Sequence, residues 1–131
     1  MVKKSPPAKP APALTAVELE MMSVIWRIGP CSVAQVREHL LPERELAYTS
    51  VSTMVRILEQ KGYVASQKEG RGHLYHAAVS RESYQARSLK QFVSAVFDGT
   101  PSLLVRSLVD SDSLTSEELE QIRSILRRKG S

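Results

Sequence analysis

Thr49, Ser50, Ser52, Thr53, Arg56 and Gln60 lie in the run Tyr48 to Lys61, where Val51, Met54, Val55 and Leu58 recur at helical spacing. Wound as a helix, the run buries its aliphatic side and presents small hydroxyls and a guanidinium on the other. A DNA major groove accepts such a surface. Short side chains allow close approach, hydroxyls bond phosphates or base edges, and Arg bonds guanine or phosphate. A helix start also carries partial positive charge that favours phosphate. Ser, Thr and Arg are equally ordinary on solvated helix faces, so two further features decide between the alternatives. No acid interrupts the face before Glu59, and a glycine-bearing turn, Glu69-Gly70-Arg71-Gly72, follows with Lys68 and Arg71 at its tip. A hairpin tip of this kind meets backbone phosphates. Thr49, Ser50, Thr53, Arg56, Lys68 and Arg71 are therefore the candidate DNA-binding residues.

Other chemistries find no constellation. Cys31 is the sole cysteine, so it forms no internal disulfide, and no His or Asn context marks it as a nucleophile. His39 is solitary. His73 and His76 are three apart on a predicted strand and point to opposite faces. The glycine turn is too short for a phosphate-cradling loop and precedes no helix. No catalytic residue, metal site or cofactor is expected, and the protein is not expected to be an enzyme.

The elements that position the stripe read clearly. Thr15 with Glu18 forms a capping box and Leu14 with Leu19 a hydrophobic staple, opening a helix to about Ile28 that buries Leu19, Met22, Ile25 and Trp26. Gly29-Pro30 stops it. Ser32 with Gln35, and Cys31 with Val36, repeat both devices for a second helix that buries Val33, Val36 and Leu40 and ends before Pro42. The stripe helix comes third, with Gly62 as its cap. The period then changes to two: Tyr63–Lys68 and His73–Ala77 predict a hairpin around the glycine turn. Three helices followed by a hairpin is the order of a winged helix-turn-helix domain.

From Ser80 the pattern is helical again. Ser80 or Ser83 caps a helix through about Phe97, Asp98-Gly99-Thr100-Pro101 breaks it, and Ser102–Val109 forms the next. Thr115 with Glu118, and Leu114 with Leu119, open a last helix that buries Leu119, Ile122, Ile125 and Leu126. Three helices in about fifty residues make a thin core, and units this small are marginal without association. Their apolar residues, among them Phe92, Leu104, Leu108, Ile122 and Leu126, call for a partner, and an identical chain is the simplest. The fold class expected is mainly α with a small β-hairpin wing: a winged helix-turn-helix domain over residues 14–79, then a helical dimerisation region over residues 80–131.

Residues 1–13 hold four of the seven prolines, alternating with Ala and Lys, and predict a disordered arm. Lys and Arg outnumber Asp and Glu by ten to seven over residues 1–80 and by eight to seven beyond. The surplus sits with the front half of the chain, which suits a polyanionic partner without demanding one. No apolar run approaches the roughly 20 residues of a membrane helix and no signal peptide is visible, so a cytoplasmic protein is expected.

The strings LTAVELEMMSVIW, CSVAQVREHL, LAYTSVSTMVRILEQKGYV and KEGRGHLYHAAVSRESY, and more loosely LTSEELEQIRSIL, resemble the penicillinase-repressor and methicillin-resistance-regulator (BlaI/MecI) family. The resemblance covers nearly everything after residue 13. It implies a homodimeric transcriptional repressor whose winged helix binds an inverted-repeat operator, with groove contacts at Thr49, Ser50 and Thr53 and Arg56 close by. It also implies release by a membrane-bound sensor peptidase that triggers cleavage within the dimerisation helices. The matching bond is Ser107-Leu108, where the named repressors carry asparagine and phenylalanine. The paired Cys-x-Cys motifs of the copper-responsive branch are absent. Two other functions share these elements: a winged helix that assembles with protein, and a repressor that senses a ligand between its halves.

Overall fold

The computed structural model describes residues 13–130; all but the last residue of the Pro-rich segment expected to be a disordered arm lies outside this range. The elements run α1 (Ala16–Ile28), α2 (Val33–Leu40), α3 (Tyr48–Gln60), β1 (Val64–Glu69), β2 (Gly72–Ala77), α4 (Arg81–Val96), α5 (Pro101–Asp110) and α6 (Ser116–Gly130).

Local chemistry sets the helix ends. Thr15 Oγ1 accepts from the Glu18 amide at 3.2 Å while Glu18 Oε1 accepts from the Thr15 amide at 2.9 Å. Ser32 with Gln35 opens α2, and Thr115 with Glu118 opens α6, in the same reciprocal way. Each cap satisfies amides that the helix cannot, at about 1 kcal/mol. Of the two serines that could cap α4, Ser80 does so, its Oγ accepting from the Ser83 amide at 3.0 Å. At the far end of α3, Gly62 adopts φ 89° and donates to the Glu59 carbonyl at 3.0 Å, while the Tyr63 amide reaches the Leu58 carbonyl at 2.9 Å. This Schellman closure, with Tyr63 and Leu58 both buried, turns the chain directly into β1.

β1 and β2 pair antiparallel, with Val64 opposite Ala77 and Glu69 opposite Gly72. The turn is Gly70-Arg71, and Gly70 supplies the positive φ of 60° at its first position. Gly72, expected in the turn, is the first residue of β2. A third backbone segment joins the hairpin: Cys31 donates to the Tyr75 carbonyl at 2.9 Å and accepts from the Tyr75 amide at 2.7 Å. The wing is thereby tied to the α1–α2 connection.

Met21, Met22 and Ile25 of α1, Val33, Val36 and Leu40 of α2, and Val51, Val55 and Leu58 of α3 meet in one core with Cys31, Tyr63 and Val64. The inward stripe of α1 runs through Glu18, Met21, Met22 and Ile25, which leaves Leu19 beside it and 36% exposed, not buried as its staple position suggested. Trp26 is half-buried and its Nε1 donates to the Val79 carbonyl at 2.8 Å.

The chain forms two compact units, one running to Tyr84 and one from Gln85. The first turn of α4 belongs to the first, five residues past the expected border at Val79. Tyr84 explains this, its ring packing 5.7 Å from Trp26 and 5.9 Å, edge-on, from Tyr63. In the second unit Phe92 meets Phe97 at 5.7 Å and Val93 is buried. Leu104, Leu119 and Ile122 are half-buried, while Leu108, Val109, Ile125 and Leu126 are exposed.

Candidate nucleic-acid interface

Helix α3 is pinned at both ends. Entering it, the Arg37 Nε donates to the Leu46 carbonyl at 2.7 Å, and Arg44 forks onto both Glu20 oxygens at 2.7 and 3.0 Å. The Arg44 guanidinium holds the Glu20 carboxyl below its ordinary value. Leaving it, Lys61 Nζ lies 2.8 and 3.0 Å from the two Glu18 oxygens and 3.3 Å from the Ala13 carbonyl. Burial pushes the Glu18 carboxyl up, but Lys61 and the Thr15 amide outweigh it and the net shift is downward. Glu18 therefore caps α1 and clamps α3 with one carboxylate. Sequence periodicity missed this role, because a charged residue at an inward position carries no mark of its distant partner.

Between these anchors α3 buries Val51, Val55 and Leu58 completely and exposes Thr49, Ser50, Thr53 and Arg56. Thr49, Ser50 and Thr53 share one shallow depression with the half-buried Met54. Unlike α1, α2 and α6, α3 begins without a side-chain cap, at Ala47. Its first-turn amides thus lack the partner that a capping residue provides, in the turn that carries Thr49 and Ser50.

A second hollow of about 490 Å³ lies between α3 and the wing. Arg56 from α3 and Arg71 from the turn both line it, with Tyr48, Ser52, Glu59 and Ser66. Ser66 on β1 donates to Glu59 Oε2 at 2.7 Å. Lys68 is exposed on β1 opposite His73 and is not among the walls of this hollow. The structure so groups the six candidates in two sets, three hydroxyls on α3 and Arg56 with Arg71, and leaves Lys68 apart. Glu59 and Ser66 were not singled out from sequence, since nothing local indicates that a helix acid and a strand hydroxyl converge. Burial raises the Cys31 thiol, consistent with its packing role beneath α2.

Three helices, a hairpin tied back by Cys31, and an exposed polar face on the third helix define a winged helix-turn-helix protein of the transcription-regulator class. The family model described as Penicillinase repressor matches residues 14–128, and the chain belongs to that family. It is 27% identical over 118 residues to the penicillinase repressor of Bacillus licheniformis, covering 90% of this chain and 92% of that protein. It is 25% identical over 116 residues to the methicillin resistance regulatory protein MecI of Mammaliicoccus sciuri, covering 88% and 94%. Among solved structures it is similar to the DNA-binding domain of the repressor BlaI, with a TM-score of 0.51 and 29% identity over 58% of this chain and 93% of that one. It is also similar to Bacillus licheniformis BlaI in complex with the blaP half-operator, with a TM-score of 0.50 and 28% identity over 57% and 92%. The protein is a transcriptional repressor, and its family is one of repressors, not enzymes. No single helix among the described residues is long and apolar enough to cross a membrane.

Proposed function

We propose that the protein represses transcription as a homodimer on an inverted-repeat operator, reading bases with Thr49, Ser50 and Thr53 and holding phosphates with Arg56, Lys68 and Arg71. The observation that carries this is the face of α3: three exposed hydroxyls opposite wholly buried Val51, Val55 and Leu58, on a helix fixed at both ends. A helix so held presents its outer face as a rigid unit, as major-groove reading needs. Pairing of two copies is supported by the apolar side chains that a single chain leaves exposed in the second unit, Phe92 at 48%, Leu108 at 38% and Leu126 at 62%, beside the half-buried Leu104 and Ile122.

The decisive experiment is an affinity and footprint series with Thr49→Ala, Ser50→Ala and Thr53→Ala on operator and scrambled duplex. Loss of a hydroxyl that bonds a base is expected to cost about 1–3 kcal/mol on operator and far less on scrambled DNA. The salt dependence stays unchanged, because no charge is removed. An operator-to-scrambled ratio unmoved in all three variants refutes base reading by α3; retained binding to a protein partner alone would make the domain an assembly module.

We infer further that a membrane-bound sensor peptidase relieves repression, with Ser107-Leu108 as the bond cut, a reading supported by the resemblance of this segment to the family's cleavage region. That bond lies inside α5, so cleavage requires local unwinding of the helix. The peptidase-treated protein is expected to yield a fragment ending at Ser107, seen by mass; a cut elsewhere removes the assignment.

A further inference from the structure

We propose that the cleft between α3 and the wing is a single phosphate seat, in which Arg56 and Arg71 grip the same DNA phosphodiester and Ser66 keeps Glu59 from neutralising it. This rests on the operator-binding role proposed above and adds to it which phosphate contacts are shared and what holds them ready.

Arg56 and Glu59 stand three apart on α3, the spacing at which oppositely charged side chains on a helix ordinarily pair. They form no ion pair here. Glu59 instead accepts the Ser66 hydroxyl from the wing at 2.7 Å, and neither Arg56 nor Arg71 has a carboxylate partner among the described residues. Arg56 and Arg71 line one hollow, from two different elements, with Tyr48 and Ser52 among its other walls. Two arginines without an ion-pair partner among the described residues share the hollow with one glutamate, so it is cationic. Guanidinium groups bond phosphate oxygens strongly, and the two non-bridging oxygens of a diester leave one for each arginine. Arg71, read from sequence as an independent tip contact, is joined in this way to the recognition helix.

Ser66 is then a positioning residue. Its bond orients a charge that would otherwise fall to Arg56, and it fastens α3 to β1 across the cleft. Alanine at this position leaves Glu59 free to swing to Arg56 and cancel part of the grip.

The test uses the full chain and operator duplexes in which one phosphate at a time is replaced by an uncharged methylphosphonate. The wild type is expected to lose roughly three- to tenfold in affinity when the shared phosphate of a half-site is replaced, since the charge that both arginines grip disappears. Arg56→Ala and Arg71→Ala are each expected to lose sensitivity at that same phosphate. Ser66→Ala is expected to bind several-fold more weakly, and Glu59→Gln added to it to restore binding, which a merely structural role for Ser66 would not do. Insensitivity at two different phosphates overturns the shared seat. A Ser66→Ala variant of unchanged affinity, or one that Glu59→Gln does not rescue, overturns the positioning role. Selection of operator over scrambled duplex by the wild type is read alongside. Its failure overturns the operator reading and this inference together, whereas a split phosphate pattern with selection intact overturns this inference alone.

Discussion

Glu18 shows how much one residue can carry when it is buried at 5% exposure. Its carboxylate accepts the Thr15 amide and both approaches of Lys61, so it joins the start of α1 to the end of α3. Replacement by Gln is expected to cost about 1.5–3 kcal/mol, the range for hydrogen bonds to charged groups, and to lower the melting temperature by several degrees. The pH dependence follows from the direction of the shift. In the unfolded chain the carboxyl titrates near its ordinary value of 4.5, and in the folded chain below it. Its stabilisation is thus complete above that value and is lost as pH falls through the lowered folded one. The gap between wild type and Glu18→Gln in urea melts should be smaller at pH 3 than at pH 7; a constant gap would place the effect elsewhere.

At the scale of elements, the capping boxes at Thr15, Ser32 and Thr115 were legible because each is a spacing of three between fixed residue types. Helices, hairpin and the hydroxyl face of α3 followed from the change of period at Gly62. What stayed hidden joins distant segments: Cys31 with Tyr75, Glu18 with Lys61, Glu59 with Ser66. No local pattern encodes such pairs, and Leu19 fell on the wrong side because its spacing fitted a staple as well as a core. On the wing, the exposed Lys68 stands outside the α3 cleft. Lys68→Ala is expected to weaken operator and random DNA alike and to reduce the salt slope by about one unit. Lost discrimination at an unchanged slope would instead mean that the wing reads bases.

For the molecule as a whole, the border between the units matters more than their number. A chain ending at Arg87 keeps Tyr84 against Trp26 and Tyr63, and is expected to fold and remain monomeric. One ending at Val79 loses both ring contacts and should melt lower. In the full chain, Leu108→Glu is expected to dissociate the proposed dimer, since a lone ion in a desolvated interface costs several kcal/mol. Light scattering decides each case: a dimer surviving in the Arg87-ended chain places the interface in the first unit.

Trp26 is the only tryptophan, and it stands where the first unit closes: indole to the Val79 carbonyl, ring beside Tyr84, Arg81 guanidinium 5.6 Å above it. All three neighbours belong to β2's exit or the first turn of α4. The indole is consequently a built-in optical gauge of that turn. Its emission maximum should change when the first turn of α4 peels away, with no label attached. Following that emission during titration with operator would reveal whether α4 stays seated while the protein binds DNA.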